Sequence, residues 1–408
     1  MWLTSATMRA AIQPVKASAD FHGAGAIPPK CAPAHRSTAT HRLDCPAPIF
    51  AELDSNMGIF SDTEAYETWL RQQCDVVEDD LAYKHRRMAK DPFVFLRATF
   101  FRWARRIGKI CPELATAPGV LAVGDAHLEN FGTWRDLEGR LVWGVNDFDE
   151  VAVMPYAFDL VRLATSVRLA PHRHIAGGEA AERIARGYGR GLRAPRPILL
   201  DEQETWMRRW VVCSDEERKE FWAEVEDYPL AVPPPAVAAA LMKSLPDGVQ
   251  LVRFASRRKG SGGLGRPRFV AIAVWRGGLV VREAKALVPS AWEWARGAAA
   301  PSSRALEAAT GAYRSPDPHL DVADKFILRR IAADSRKVEL GEHAGEELHA
   351  RLLEAMGFDL GSIHAADPAV PAVRAHLAAS PEDWLDKAAE AAAGWMKSDF
   401  ERWREREG

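Results

Sequence analysis

Residues 121–150, LAVGDAHLENFGTWRDLEGRLVWGVNDFDE, constrain what this chain can fold into more than any other stretch. An apolar run, Leu121 to Val123, delivers Asp125 into a polar segment, and Asn130 follows five residues later. A second apolar run, Leu141 to Val145, delivers Asp147 and Asp149. Between them, Asp136-Leu137-Glu138-Gly139 is a turn signal flanked by Phe131–Trp134 and Leu141–Val145, which predicts a β-hairpin. Asn130 and Asp147 are nearly equidistant from that turn, so they should meet at the open end with Asp125 close by. Carboxylates and an amide oxygen gathered there repel one another unless a cation sits among them, and hard oxygen ligands of this kind suit Mg²⁺ held partly by phosphates. A solvated acidic turn has the same composition, so this segment alone leaves both readings open.

A second segment, residues 251–290, adds to the first. Gly260-Ser261-Gly262-Gly263-Leu264-Gly265 is a G-x-G-x-x-G followed by an apolar strand, Phe269–Trp275. A Gly277-Gly278 turn then leads to Leu279–Val281 and to Lys285. Glycines let backbone approach a polyphosphate closely, and a lysine on the following strand neutralises phosphate charge. A dinucleotide-binding unit would continue into a helix, whereas strand–turn–strand follows here. The bland alternative is a flexible basic loop, Arg257-Arg258-Lys259 with glycines. The helical stretch Ser302–Tyr313 offers Glu307 as the expected partner of Lys285.

Together the segments resemble protein-kinase-like phosphotransferases, in which an Asp, four intervening residues and an Asn precede a short hairpin and a metal-binding Asp. Here these are Asp125, Asn130 and Asp147. The small-molecule branch, the aminoglycoside and choline kinases, is nearer, through Val123-Gly124-Asp125, Asn146-Asp147-Phe148 and Asp159 opening the next helix. Over most of its length the chain is similar to a bacterial family, domain of unknown function 2252, on its Gly-Asp-Ala-His-Leu-x-Asn-Phe-Gly and Asn-Asp-Phe-Asp-Glu strings. The resemblance implies an α+β, two-lobed kinase-like fold with a mostly helical large lobe and a small β-rich lobe. It implies ATP and Mg²⁺, with Asp125, Lys285 and Glu307 catalytic and Asn130, Asp147 and Asp149 on the metal. Gly260, Ser261, Gly262, Gly265 and Lys285 would hold the nucleotide, and His127 and Asp159 would brace the loop.

One departure is the order, since the glycine segment and Lys285 follow the hairpin by more than a hundred residues. A circular permutation accounts for it, and the helix around Leu352–Ala366 then stands for the one preceding the loop in small-molecule kinases. Expected divisions are a disordered leader at 1–56, a helical large lobe at 57–245, a small lobe at 246–335 and C-terminal helices at 336–408. Phosphoryl transfer to a small-molecule hydroxyl is the expected function. Transfer of AMP, a non-catalytic scaffold, and a metal-dependent hydrolase built on Asp125, His127, Asp147 and Asp149 stay open, and the acceptor's identity does not follow.

Composition narrows the partners. A net charge of −2 builds in no bulk attraction to nucleic acid or membrane. Five scattered cysteines without a C-x-x-C suit reduced thiols in a cytoplasm. No apolar run reaches the roughly 18 residues of a membrane helix. Asp62 or Thr63 is expected to cap a first helix. Asp91-Pro92 should open another, with an apolar stripe from Phe93 to Trp103 and a solvated basic end at Arg102–Arg106. In the next helical region Asp159 reads as an N-cap, Pro233–Pro235 as a linker, and Ser380-Pro381 as the start of a last helix.

Overall fold

The computed structural model describes residues 58–171, 175–298, 303–337 and 346–407; the leader expected at 1–56 lies outside them. Helix α1 (Ile59–Gln73) buries Ile59, Tyr66 and Leu70, and α2 (Glu78–Met88) starts with three acids at its positive end. Asp91 caps α3 (Pro92–Ala98), accepting from Val94 N at 2.9 Å. The apolar stripe expected in one helix is divided at Thr99, where α4 (Phe100–Ile110) begins. The Thr99 hydroxyl bonds the Phe95 carbonyl at 2.7 Å, a back-bond that bends helices.

Two expectations fail here for one reason. Asp62 lies inside the first turn of α1 rather than capping it, and Arg102 is buried rather than solvated. Arg102 and Arg105 both reach the buried Asp62 carboxylate, and Arg102 Nε also meets Asp399 near the C-terminus at 2.7 Å. Partners from three helices turn a charged surface pattern into a core ion cluster.

Strand β1 (Gly119–Ala122) leads to the hairpin of β2 (Phe131–Arg135) and β3 (Leu141–Val145), which pair antiparallel from Phe131↔Val145 to Arg135↔Leu141. β4 (Ala152–Pro155) pairs with β1, and α5 (Ala157–Leu169), α6 (Gly177–Arg193) and β5 (Ile198–Leu199) follow, β5 extending the hairpin beside β3. Next come α7 (Arg208–Val211), α8 (Asp215–Glu226), begun by a Ser214/Glu217 capping box, and α9 (Pro235–Ser244), begun by the proline run.

The glycine segment joins β6 (Gln250–Ser256) to β7 (Arg268–Trp275), and β8 (Gly278–Ala286) completes a meander. After α10 (Ala291–Trp294) and α11 (Ala305–Ala309), β9 (Asp321–Ala323) and β10 (Phe326–Ile331) finish an antiparallel sheet ordered β6-β7-β8-β10-β9. Period-two alternation gives this sheet two apolar faces. Val270, Ile272 and Val281 meet Val225 and Tyr228 at the end of α8, while Ala271, Ala273 and Ala284 meet Val237 and Leu241 of α9. The chain then returns to the hairpin, with Thr133 N donating to Arg336 O at 2.7 Å and Gly132 bridging Lys337.

Helices α12 (Glu346–His364), α13 (Val370–Ala379) and α14 (Trp384–Glu407) close the fold. α12 lies against α6 through paired small residues. A Cβ on Gly187 would come within 1.9 Å of Glu354 O, and one on Gly361 within 2.3 Å of Tyr188 O. That approach sets α12 beneath β3, where Asp359 accepts from Val145 N at 2.7 Å. With fourteen α-helices and three sheets among the described residues the architecture is α+β and helix-rich, and no helix among them is long and apolar enough to cross a membrane.

Candidate active site

β1 ends in a turn that only glycine makes comfortably. Gly124 has φ +82°, and a Cβ there would meet Glu150 O at 2.3 Å. Asp125 follows, its Oδ1 held at 2.6 Å by the fully buried Arg162. Burial raises the Asp125 carboxyl above its ordinary range even though Arg162 pulls it down. Asp159 does not cap α5, which begins after Tyr156. Its oxygens instead accept from Val123 N at 2.7 Å and Gly124 N at 2.8 Å, so it caps the loop that carries Asp125. His364 Nε2 from α12 joins the same carboxylate at 3.1 Å.

His127 braces the loop from within. Its Nδ1 accepts from Glu129 N at 3.2 Å, and its Nε2 faces Asp125 at 3.7 Å. Burial, with Arg97 nearby, pushes this imidazole well below its usual value, which favours the neutral ring. Asn130 is fixed by the two bonds its amide nitrogen donates, to Asp125 O at 3.0 Å and Asp147 O at 3.1 Å. Those bonds orient the amide and leave Oδ1 buried with no hydrogen-bond partner among the described residues. A buried acceptor without a donor is rare in proteins and suits a cation or a donor from a ligand.

Asp147 lies at the end of β3, with 38 % of its side-chain surface accessible, and lines the same cavity as Asn130. Desolvation works against its charge, yet Lys285 and then Arg329 hold the carboxyl well below the usual range. Lys285, 2 % exposed on β8, sits 3.3 Å from Asp147 Oδ2 and also contacts Asp149. Asp149 Oδ2 meets Arg266 at 3.1 Å as well, so the acid expected on a metal is shared between two cations. Among the described residues no three His, Cys, Asp or Glu side chains gather as a metal site, so Asn130 and ligand oxygens would have to complete one around Asp147.

Glu307 is not part of this cluster. The helix expected over Ser302–Tyr313 is the short α11, and Glu307 pairs there with Arg304, with 56 % of its side chain exposed. Position 302 lies outside the described residues. Lys285 takes its acids from the hairpin instead.

Gly260, Ser261 and Gly262 line the cavity opposite Asp125. A Cβ on Gly262 would stand 3.0 Å from Arg97 O and 3.5 Å from Asp125 Oδ2, and the Ser261 hydroxyl is buried with no hydrogen-bond partner among the described residues. Gly265 (φ +92°) turns the segment away under Leu81 of α2. In this arrangement the cavity measures about 60 Å³. A water molecule takes about 30 Å³ of liquid, so the glycine segment leaves a narrow, polar-lined space above Asp125 and Asn130.

Sequence reasoning missed the cations that complete the lining. Lys84 and Arg97 come from α2 and α3, Arg162 supports Asp125 from α5, and Lys337 enters from the segment after β10 and donates to Glu129 O. Burial, followed by Arg97, pushes Lys337 down to about 8. Lys84 and Lys337 sit on ordinary charged stretches and Arg97 and Arg162 on apolar helices, and only the distant Asp-bearing hairpin makes them part of a site.

The geometry thus defines a polar, cation-rich cleft between an acidic hairpin and a glycine segment. A family model described as "Uncharacterized protein conserved in bacteria (DUF2252)" matches residues 76–205, from the start of α2 past β5. The match takes in Asp125, Asn130 and Asp147 and stops before the sheet that carries Lys285. No curated protein and no solved structure matches the chain.

Proposed function

We propose that this protein is a Mg²⁺-dependent phosphotransferase of the kinase-like class, moving the γ-phosphoryl group of ATP to a hydroxyl of a small molecule. The observation that carries the reading is Asn130 Oδ1, buried, unpartnered and held beside Asp147, across the cavity from a glycine segment. In protein kinases a glycine loop covers the phosphates, a lysine on the third strand of the sheet meets them, and an Asn and an Asp hold Mg²⁺. Lys285 is likewise on the third strand of its sheet, after a glycine segment between the first two. The permuted two-lobed reading draws support from α12, which follows the sheet in sequence yet packs under the hairpin through Asp359 and reaches Asp159, which braces the Asp125 loop, through His364.

Bound Mg²⁺ would supply positive charge against the charge that builds on the transferring phosphoryl group. The protein's own part is positioning and neutralisation. Asn130 Oδ1 and Asp147 would face the cation, and Lys285 would exchange its carboxylate contacts for phosphate oxygens. The Ser261 hydroxyl and the glycine N–H groups would cover them. Asp125, raised by burial and held by Arg162, would orient the acceptor hydroxyl and take its proton as the oxygen bonds phosphorus and ADP leaves.

Thermal stabilisation by ATP with and without Mg²⁺, for wild type and Asp147→Ala, tests this. A ligand at about 100 times its dissociation constant adds ~2.7 kcal/mol, or ~4 °C for a folded body of about 335 residues. The shift should need Mg²⁺, vanish in Asp147→Ala and survive in Asp125→Asn, which should bind but not transfer. Equal shifts in wild type and Asp147→Ala, or none in either, would sink the reading. Label from the α rather than the γ position appearing in product would move it to AMP transfer.

A further inference from the structure

Lys84 is the cation in the cavity that the phosphotransferase scheme leaves without a task. It projects from α2, is 3 % exposed and lines the cavity with Asp125. It makes no hydrogen bond or ion pair with any described residue; its ammonium stands 5.6 Å from the centre of the Phe101 ring. An ammonium kept out of water without a partner is costly, and proteins that retain one use it. α2 is fastened to the glycine segment, through Val77 N to Gly265 O at 2.9 Å and Arg87 to Gly260 O at 3.2 Å. Lys84 therefore faces the cleft from a wall that is packed against its roof.

Its charged neighbours distinguish it from Lys285. Lys84 lines the cavity with Asp125, which would activate the hydroxyl, and makes no ion pair with Asp147, whereas Lys285 pairs with Asp147 and Asp149 beside the cation. Arg97, paired with Glu129 through Nη1 but with its Nε buried and without a hydrogen-bond partner among the described residues, lines the same cavity. We propose that Lys84 anchors an oxyanion of the acceptor, so that the molecule receiving the phosphoryl group is itself anionic: a hydroxyl compound bearing a phosphate or a carboxylate. The proposal rests on the phosphotransferase reading and names its substrate class.

The test uses the full chain with saturating Mg²⁺ and a non-hydrolysable ATP analogue, to which inorganic phosphate or acetate is added while melting is followed. One oxyanion should give a further upward shift, and the one that does separates phosphate from carboxylate. In Lys84→Met its apparent affinity should fall roughly 10- to 100-fold, the loss of a charge-assisted bond, with the analogue's own shift unchanged and partial recovery in Lys84→Arg. Lys84→Met should melt at or above wild type, since a buried unpaired charge is gone; if it melts far below, Lys84→Gln carries the comparison. Equal oxyanion affinity in wild type and variant overturns the proposal, as does the absence of any oxyanion shift. Loss of the analogue's shift in Lys84→Met also overturns it, because Lys84 would then serve the nucleotide. No analogue shift in wild type refutes the phosphotransferase reading itself, and the acceptor role goes with it.

Discussion

Asp159 offers the sharpest test of how the fold holds its candidate catalytic loop. Its carboxylate is fully buried and accepts three donors: Val123 N, Gly124 N and His364 Nε2. Replacing it by alanine strands two backbone donors in the core at ~1–3 kcal/mol each and drops the bond to His364, so a loss of about 3–5 kcal/mol is expected. With an unfolding entropy of ~2.1 cal/mol/K per residue over about 335 residues, melting should fall by ~4–7 °C. Asp159→Asn is the more telling change. The two oxygens each face a different backbone N–H, so either flip of an asparagine amide sets its NH₂ against a donor. Shape is kept and bonding is not, so asparagine should rescue little of the loss. Calorimetry gives the melting shift, and hydrogen exchange at Val123 and Gly124 reports the loop directly. Asp159→Asn melting within about 1 °C of wild type, with both amides still protected, would refute the bracing role.

Three further outcomes follow from other contacts. Glu307→Ala should leave melting and any Mg·ATP shift unchanged, because an exposed pair with Arg304 is worth ~0–1 kcal/mol; a lost nucleotide shift would restore Glu307 to the site. Gly361→Ala should cost ~3 kcal/mol or more in a thermal melt, since its methyl would lie 2.3 Å from Tyr188 O. Gly394→Ala, with open space around it, should instead gain ~0.5–1 kcal/mol, and like signs for the two would undo the close-packing account. Burial pushes Lys84 down to about 8 from an ordinary 10.5, so between those pH values the unfolded chain holds a proton that the fold lacks. Wild type should therefore gain up to ~3 kcal/mol on Lys84→Met as pH rises from 8 toward 10.5, read from denaturant melts at both ends. Parallel pH curves would show Lys84 to be free in the fold.

What was legible in the sequence was local. The Asp136–Gly139 turn with its two strands places Asn130 against Asp147, and Asp91-Pro92 opens its helix, because each signal lies within a few residues of its effect. Gly260 to Lys285 reads as loop, strand, turn and strand for the same reason. Partners across the chain were not legible. Glu307 stands on a plausible helix, but α11 is one short turn that buries its alanines and turns Glu307 outward, and Asp149 occupies the place beside Lys285. Asp62 and Arg102 resemble a cap and a solvated helix end until the two pair and α14 brings Asp399 to the other side of Arg102. Lys84 and Lys337 carry no motif at all, since a lysine becomes a site residue only through what folds over it.

The return of the chain to the hairpin after β10 has a mechanical consequence. A backbone bond from Thr133 N to Arg336 O, the Thr133 hydroxyl on Asp334 O at 2.7 Å and the Arg135–Asp334 ion pair sew the sheet bearing Lys285 to the strand beside Asp147. Swinging the sheet outward would tear that seam. The glycine segment is held at its ends by Val77 N on Gly265 O and Arg87 on Gly260 O, and just before it by outer side-chain pairs, Arg258 with Asp80 and Lys259 with Glu224, which are weak. Salt loosens exposed ion pairs, so the outer fastenings of this cover should slacken as ionic strength rises while the seam stays closed.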